Sequence, residues 1–188
     1  MIKSRIIKFK EFFQLWSALP SYVKIRQPVK IFESSEQGYN LHNLYSSAAE
    51  FLDKIEEETN ADLKSYHYSL FLVHTKNDEV FGAFVTAFPC YDSRLKFVGT
   101  SESFVFRIRP GGFESYRASG ANNFFFHSEY KALTFGSGGD GPAIRIDEEL
   151  YKGRTAQCDT FNSPILIYNG KKHETDEFEA KNFEVFIL

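Results

Sequence analysis

The sequence predicts an α+β, β-rich fold: two antiparallel sheets packed as a β-sandwich and flanked by N-terminal helices. Three observations carry this. The 188 residues include 21 phenylalanines and 10 tyrosines, a density of aromatics that favours pleated, half-buried surfaces over helices. From Tyr68 onward, seven or more short apolar or alternating runs are separated by turn residues, with no helical period between them. Helical spacing is confined to the first third of the chain.

The chain reads as one domain over 1–188, with a helical lead-in over 1–26 and a sandwich over 27–188 that carries a flanking helix near 40–58. In the lead-in, Ile6, Phe9, Phe13 and Trp16 recur at helical spacing until Pro20 ends the helix. Lys3, Arg5, Lys8 and Lys10 beside those aromatics suit a peripheral contact with an anionic membrane, although the commoner role of such a helix is to cap a core or a neighbouring domain. Gln27–Phe32 reads as a strand. Gly38 precedes a second helix with Asn40 as its N-cap and Leu41, Leu44, Tyr45, Ala48, Leu52 and Ile55 as its apolar stripe. Glu56, Glu57, Glu58 and Asp62 follow as an acidic, solvated tail.

Tyr68–Thr75 and Glu79–Phe88 flank Lys76, Asn77 and Asp78 as a hairpin. In Glu102–Arg109, alternation sets Glu102, Phe104, Phe106 and Ile108 on one face against Ser103, Val105, Arg107 and Arg109. Asn122–Ser128 and Lys131–Phe135 predict another hairpin. Pro142–Asp147, Pro164–Tyr168 and Phe183–Leu188 read as strands, and Pro110–Asn123 as a loop. "DEELYKG" (Asp147–Gly153) predicts a short helical turn capped by Asp147 and closed by Gly153.

The formal charge of −3 and pI near 6.0 give no global field for nucleic acid, and no apolar run approaches membrane-spanning length. The basic, apolar start lacks the uninterrupted core and cleavage site of a signal peptide. Cys90 and Cys158 are too few and too far apart for a disulfide framework or a closed zinc site, and no histidine pair has metal-site spacing. The expectation is a soluble, intracellular chain without metal or cofactor.

In "TFGSGGDGP" (Thr134–Pro142), Gly136, Gly138 and Gly141 have the G-x-G-x-x-G spacing of a dinucleotide site. That site needs a helix opening at the third glycine, where N–H groups meet phosphate. Pro142 and an alternating run stand there instead, so the glycines read as a strand-to-strand turn with positive φ.

The carboxylate of most interest is Glu102. If the face it shares with Phe104 and Phe106 is the core, it is buried and needs hydrogen bonds or a raised pKa. That would suit a general acid. The commoner outcome is structural, with Glu102 accepting backbone N–H groups or pairing with an arginine such as Arg154. Glu184 and Asp147 raise the same question, whether acids from three strands converge. For nucleophilic chemistry the candidates are Cys158, whose thiolate would be favoured near Arg154, and Ser101 or Ser103. His67, His74, His127 or His173 would be the base; each alone is more often a satisfied polar residue, and no G-x-S-x-G elbow is present.

Four runs in order, "VFGAFVTAFP", "FVGTSESFVFRI", "FGSGGDGPAIRIDEELYKGRTAQCDTFNSP" and "FEVFIL", resemble a TLDc domain, over roughly Gln27 to the end. The earlier stretch Leu15–Tyr45 is similar to the subgroup in which TLDc follows a TBC domain. The resemblance implies a helix-flanked β-sandwich, protection against oxidative stress and binding of a vacuolar proton pump subunit. For the TBC-containing subgroup it also implies synaptic vesicle and endosomal trafficking through Rab GTPases, engaged by a TBC domain that this chain does not contain. The chain then reads as the C-terminal part of a longer protein, cytoplasmic and peripheral on vesicles or presynaptic membranes. Two departures stand out: the usual closing-strand tryptophan is Phe186, and Pro110–Asn123 is short where the subgroup carries a long insertion.

Two functions of different class follow. One is a non-catalytic interaction module using loop residues Gly136, Gly138, Gly139, Asp140 and Asp147 to bind a pump subunit or its own TBC domain. The alternative is a redox or hydrolytic enzyme centred on Cys158 or Glu102, which requires Cys158 to be an exposed, acidic thiol.

Overall fold

In the computed structural model, residues 3–59, 68–91, 96–167 and 176–188 are described. The element order is α1 (Phe9–Ala18), β1 (Val29–Glu33), α2 (Ser34–Gln37), α3 (Leu41–Thr59), β2 (Ser69–Thr75), β3 (Val80–Val85), β4 (Phe104–Arg109), β5 (Gly112–Arg117), β6 (Phe126–Ser128), β7 (Ala132–Phe135), β8 (Ile144–Asp147), β9 (Lys152–Arg154) and β10 (Glu177–Ile187). Every strand pairing is antiparallel.

The long strand β10 organises the molecule by belonging to two sheets. Its second half lies between β1 and β2 in a sheet ordered β1-β10-β2-β3-β4-β5. Its first three residues pair with β9 and begin the second sheet, β10-β9-β8-β7-β6. The inner faces meet around Phe71 of β2, whose ring lies 5.4 Å from that of Phe126 and 4.9 Å from that of Phe135. This is the sandwich core expected from the aromatic content, and α3 feeds Leu41, Leu44 and Ala48 into it.

A second apolar layer covers the outer face of the first sheet. Ile6, Ile7, Leu15, Leu19 and Val23 from the N-terminal arm pack on Leu70, Leu72, Phe84, Phe104, Phe106 and Phe186. Phe104 and Phe106 therefore face α1, and Val105 between them faces the sandwich core. β10 alternates at its start, where one face meets solvent, and is continuously buried at its end, where both faces are covered.

The helices follow their local chemistry. At the start of α1 the Glu11 carboxylate accepts the Lys8 N–H at 2.7 Å, and the helix stops at Leu19, whose extended backbone suits the position before Pro20. Asn40 caps α3 by accepting the His42 N–H at 2.7 Å.

Several expectations need correction. The stretch read as a loop, Pro110–Asn123, contains strand β5. "DEELYKG" is not helical. It forms the β8–β9 turn with Leu150 at φ 50°, and Gly153 lies in β9 rather than closing a helix. Residues 164–167 of the expected strand "PILIY" are not in a strand, and Tyr168 lies outside the described residues, as do Asp62, His67 and His173.

Candidate interaction site

The turn "TFGSGGDGP" is built against residues 155–163. Gly136, Gly138, Gly139 and Gly141 all take positive φ, at 76°, 87°, 67° and 151°, which only glycine does at little cost. A Cβ on Gly136 would sit 2.6 Å from the Cys158 Sγ and 2.9 Å from the Phe161 ring. The peptide groups pair across the two segments: Asp140 N–H donates to Gln157 O at 3.0 Å, and Ser137 N–H to Thr160 Oγ1 at 2.8 Å. Asn122 joins them, its Oδ1 accepting from the Thr160 hydroxyl at 2.7 Å. Strand β8 follows and no helix opens at Gly141, so a dinucleotide cradle has no helix N-terminus to work with.

Beyond this turn, the solvent face of the second sheet carries charge. Alternation turns Ile144 and Ile146 inward and Arg145 and Asp147 outward. Lys152 and Arg154 of β9 and Glu177 and Glu179 of β10 face out beside them, with Arg145 paired to Arg154 and Arg154 to Glu177 across the ladder. Together with Lys76 and Asn77 of the β2–β3 turn they line an open groove of about 720 Å³. The groove meets the glycine turn at Arg154, whose Nη2 lies 3.6 Å from where a Cβ on Gly141 would be.

Local pairing orders these charges. Arg154 bonds Asp176 at 2.8 Å. Lys76 reaches Glu179 at 2.9 Å and also donates to the Tyr151 hydroxyl, which in turn donates to Glu179 at 2.9 Å. The hydrogen bonds from Lys76 and Tyr151 hold the Glu179 carboxyl below the usual carboxylate range. Asp147 accepts the backbone N–H groups of Tyr151 at 3.0 Å and Lys152 at 3.2 Å, so it caps the β8–β9 turn, though not a helix.

The sequence-predicted residues thus fall into different places. Asp140 and Gly139 are exposed at the turn tip, Gly136 is buried beneath it, and Asp147 borders the groove. Glu102 is exposed in the turn before β4, not on a core face, and it accepts the Tyr22 hydroxyl rather than pairing with Arg154. Alternation misplaced it because β4 begins only at Phe104. Cys158 is 1 % exposed and donates to Ser137 O at 3.5 Å, which contradicts the exposed thiol that the enzyme reading requires. Ser103 is buried with its Oγ accepting the Thr86 N–H at 3.2 Å. His74 bonds Asp78 at 3.2 Å, and His127 packs on Phe97 with ring centroids 5.2 Å apart.

Glu184 is fully buried beneath the N-terminal arm, where Ser4 Oγ donates to it at 2.5 Å and Arg5 N–H at 2.8 Å. Glu102, Asp147 and Glu184 therefore have separate partners and do not converge. Among the described residues no group of three or more acidic, histidine or cysteine side chains is placed to hold a metal. Likewise, no described helix is long and apolar enough to cross a membrane. The groove itself was not legible: its charges come from β8, the unforeseen strand β9, β10 and the β2–β3 turn, and only the outward period of "AIRID" hinted at it.

A protein-family model described as the TLDc domain matches residues 1–188. The chain is similar to the GTPase-activating protein skywalker of Drosophila melanogaster, 29% identical over 93% of this chain and 28% of that protein. It is similar to TBC1 domain family member 24 of Xenopus tropicalis, 26% identical over 87% of this chain and 35% of that protein. With oxidation resistance protein 1 of Rattus norvegicus the match is 37% identical over 52% of this chain and 11% of the relative. The chain spans only about a third or less of the length of these relatives, and the matched residues leave no room for a TBC domain within it.

Proposed function

The chain belongs to the TLDc family, and from that premise we propose that it is a non-catalytic interaction domain. In this reading it serves a longer TBC-TLDc protein of vesicle trafficking, on the cytoplasmic side of synaptic or endosomal vesicles. Its partners are a subunit of the vacuolar proton pump and the TBC domain of the same full-length protein, through which a Rab GTPase is engaged. Resistance to oxidative stress is the accompanying role, in keeping with the name of one relative.

The observation that carries the reading is the groove on the second sheet, where Arg145, Asp147, Lys152, Arg154, Glu177 and Glu179 present alternating charge beside the glycine turn. Such a surface selects a protein partner by complementary charge and sets the register of docking. The candidate nucleophile Cys158 is meanwhile taken up in the core.

Binding of the purified chain to isolated pump subunits and to a TBC domain tests this, with Arg145→Glu and Lys152→Glu as exposed changes. Each is expected to weaken binding about tenfold and to alter its salt dependence. Affinities unchanged by both reversals would remove the groove as the docking surface.

A further inference from the structure

The outer side of α1 carries two large apolar side chains that the core does not use. Phe12, Leu15, Trp16 and Leu19 face the sheet. Phe9 and Phe13, one helical turn apart, are 69% and 64% exposed. Ser17 continues their stripe, and at its carbonyl the Lys24 ammonium donates at 2.7 Å, bringing up the segment in which Ile25 is 87% exposed. The result is a ridge of exposed phenylalanine and isoleucine tips.

Charge around the ridge identifies what it meets. Residues 3–26 hold six cations, Lys3, Arg5, Lys8, Lys10, Lys24 and Arg26, against one carboxylate, Glu11, although the whole chain has a net charge of −3. Arg5 is engaged by Glu33 and Glu36, and Arg26 lies over the Tyr68 ring. Lys3, Lys8 and Lys10 are exposed and make no ion pair among the described residues. Apolar tips ringed by unpaired lysines match the boundary between acyl chains and anionic headgroups, where aromatics insert and ammonium groups meet phosphate or carboxylate.

We propose that α1 and the turn after it form a docking surface for an anionic lipid bilayer, with Phe9, Phe13 and Ile25 inserted and Lys3, Lys8 and Lys10 on the headgroups. The surface lies over the outer face of the first sheet and is independent of the charged groove on the second, so a chain lacking pump or TBC binding would still dock. One amphipathic helix of 10 residues gives weak, reversible attachment, consistent with a contact that adds to others.

Co-sedimentation with sucrose-loaded vesicles tests it, comparing phosphatidylcholine alone with equal parts of phosphatidylcholine and phosphatidylserine. The wild-type chain is expected to pellet with the anionic vesicles and not with the neutral ones. F9S/F13S, and separately K8E/K10E, should each lower the partition coefficient about tenfold or more. All four positions are exposed, and an unchanged circular dichroism spectrum would confirm that the variants fold.

Absence of binding to anionic vesicles, or binding indifferent to both pairs, overturns the proposal. So does sedimentation of the wild type as a dimer that F9S/F13S converts to monomer without any vesicle binding, because the ridge would then be a contact between copies.

Discussion

The glycine turn over residues 136–141 with residues 155–163, and the N-terminal arm over residues 4–26, are both closed onto the sandwich by long-range contacts. In the first region the closure is made by backbone geometry: four positive-φ glycines let the chain press onto Cys158, Phe161 and the Gln157 carbonyl without side chains between. In the second it is made by charge. Glu33 and Glu184 stand side by side on β1 and β10, both essentially buried. Arg5 bonds Glu33 at 3.0 Å, Lys30 reaches both carboxylates, and Ser4 and the Arg5 N–H cover Glu184. Ser4 also accepts the Ile6 and Ile7 N–H groups at 3.0 and 3.1 Å, which seats both isoleucines on the outer face. A glycine-built closure fails by steric conflict and an ionic one by loss of a partner or of charge, so the two should respond to different perturbations.

The largest effect is expected from Gly136→Val. Its side chain would begin 2.6 Å from the Cys158 Sγ at a backbone with φ 76°, so overpacking and left-handed strain act together, at about 4 kcal/mol. The urea midpoint should fall accordingly. A loss below about 1 kcal/mol would mean that the turn can move off Cys158 at little cost.

Glu184→Ala comes next. It leaves the Arg5 N–H and the Ser4 hydroxyl without their acceptor and Lys30 with Glu33 alone, a loss of about 3 kcal/mol. The signature that separates it from the first variant is local. Trypsin should cut after Arg5 or Lys8 much faster, while amide exchange in β7 and β8 stays slow. Uniform loosening of both regions would show that they are one cooperative unit.

This contrast also explains what the sequence disclosed. The positive-φ turn was legible because Gly136, Gly138, Gly139 and Gly141 lie within a few residues of one another and Pro142 excludes the helix. The hairpins β2–β3 and β6–β7 were legible because their partners are adjacent in the chain. Strand β9, only three residues long with a central glycine, has no period to read. Glu184 looked like one of several strand acids, since its partners Ser4 and Arg5 are 180 and 179 positions away. Which face of β4 carried the core was not decidable from alternation when both faces are covered.

Acid should affect the arm more than the glycine block. Burial pushes the Glu33 carboxyl up, but hydrogen bonds from Lys30 and Ser35 and the charges of Lys30 and Arg5 outweigh it and hold the group below its usual value. A depressed folded-state value contributes stability that is complete above the ordinary carboxylate range and is lost as pH falls through it toward the folded value. Unfolding free energy measured from neutral pH downward should therefore decline across that range, and Glu33→Gln should flatten the decline. An equally steep decline in the variant would assign the acid sensitivity to other carboxylates.

The smallest effect concerns the two thiols. Cys90 is exposed, whereas Cys158 is buried behind Gly136. A thiol reagent should modify one cysteine per folded chain quickly and the second only as the glycine block opens, because reaction requires the thiolate to be reached. The comparison sharpens when the same labelling is done on the other variants. Gly136→Ala should speed Cys158 modification at least about tenfold by lifting the turn, and Glu184→Ala should leave it nearly unchanged because the arm lies on the other side of the first sheet. Labelling of Cys158 as fast as Cys90 in the wild type would mean that the block opens freely, and would restore the thiol chemistry that its burial now argues against.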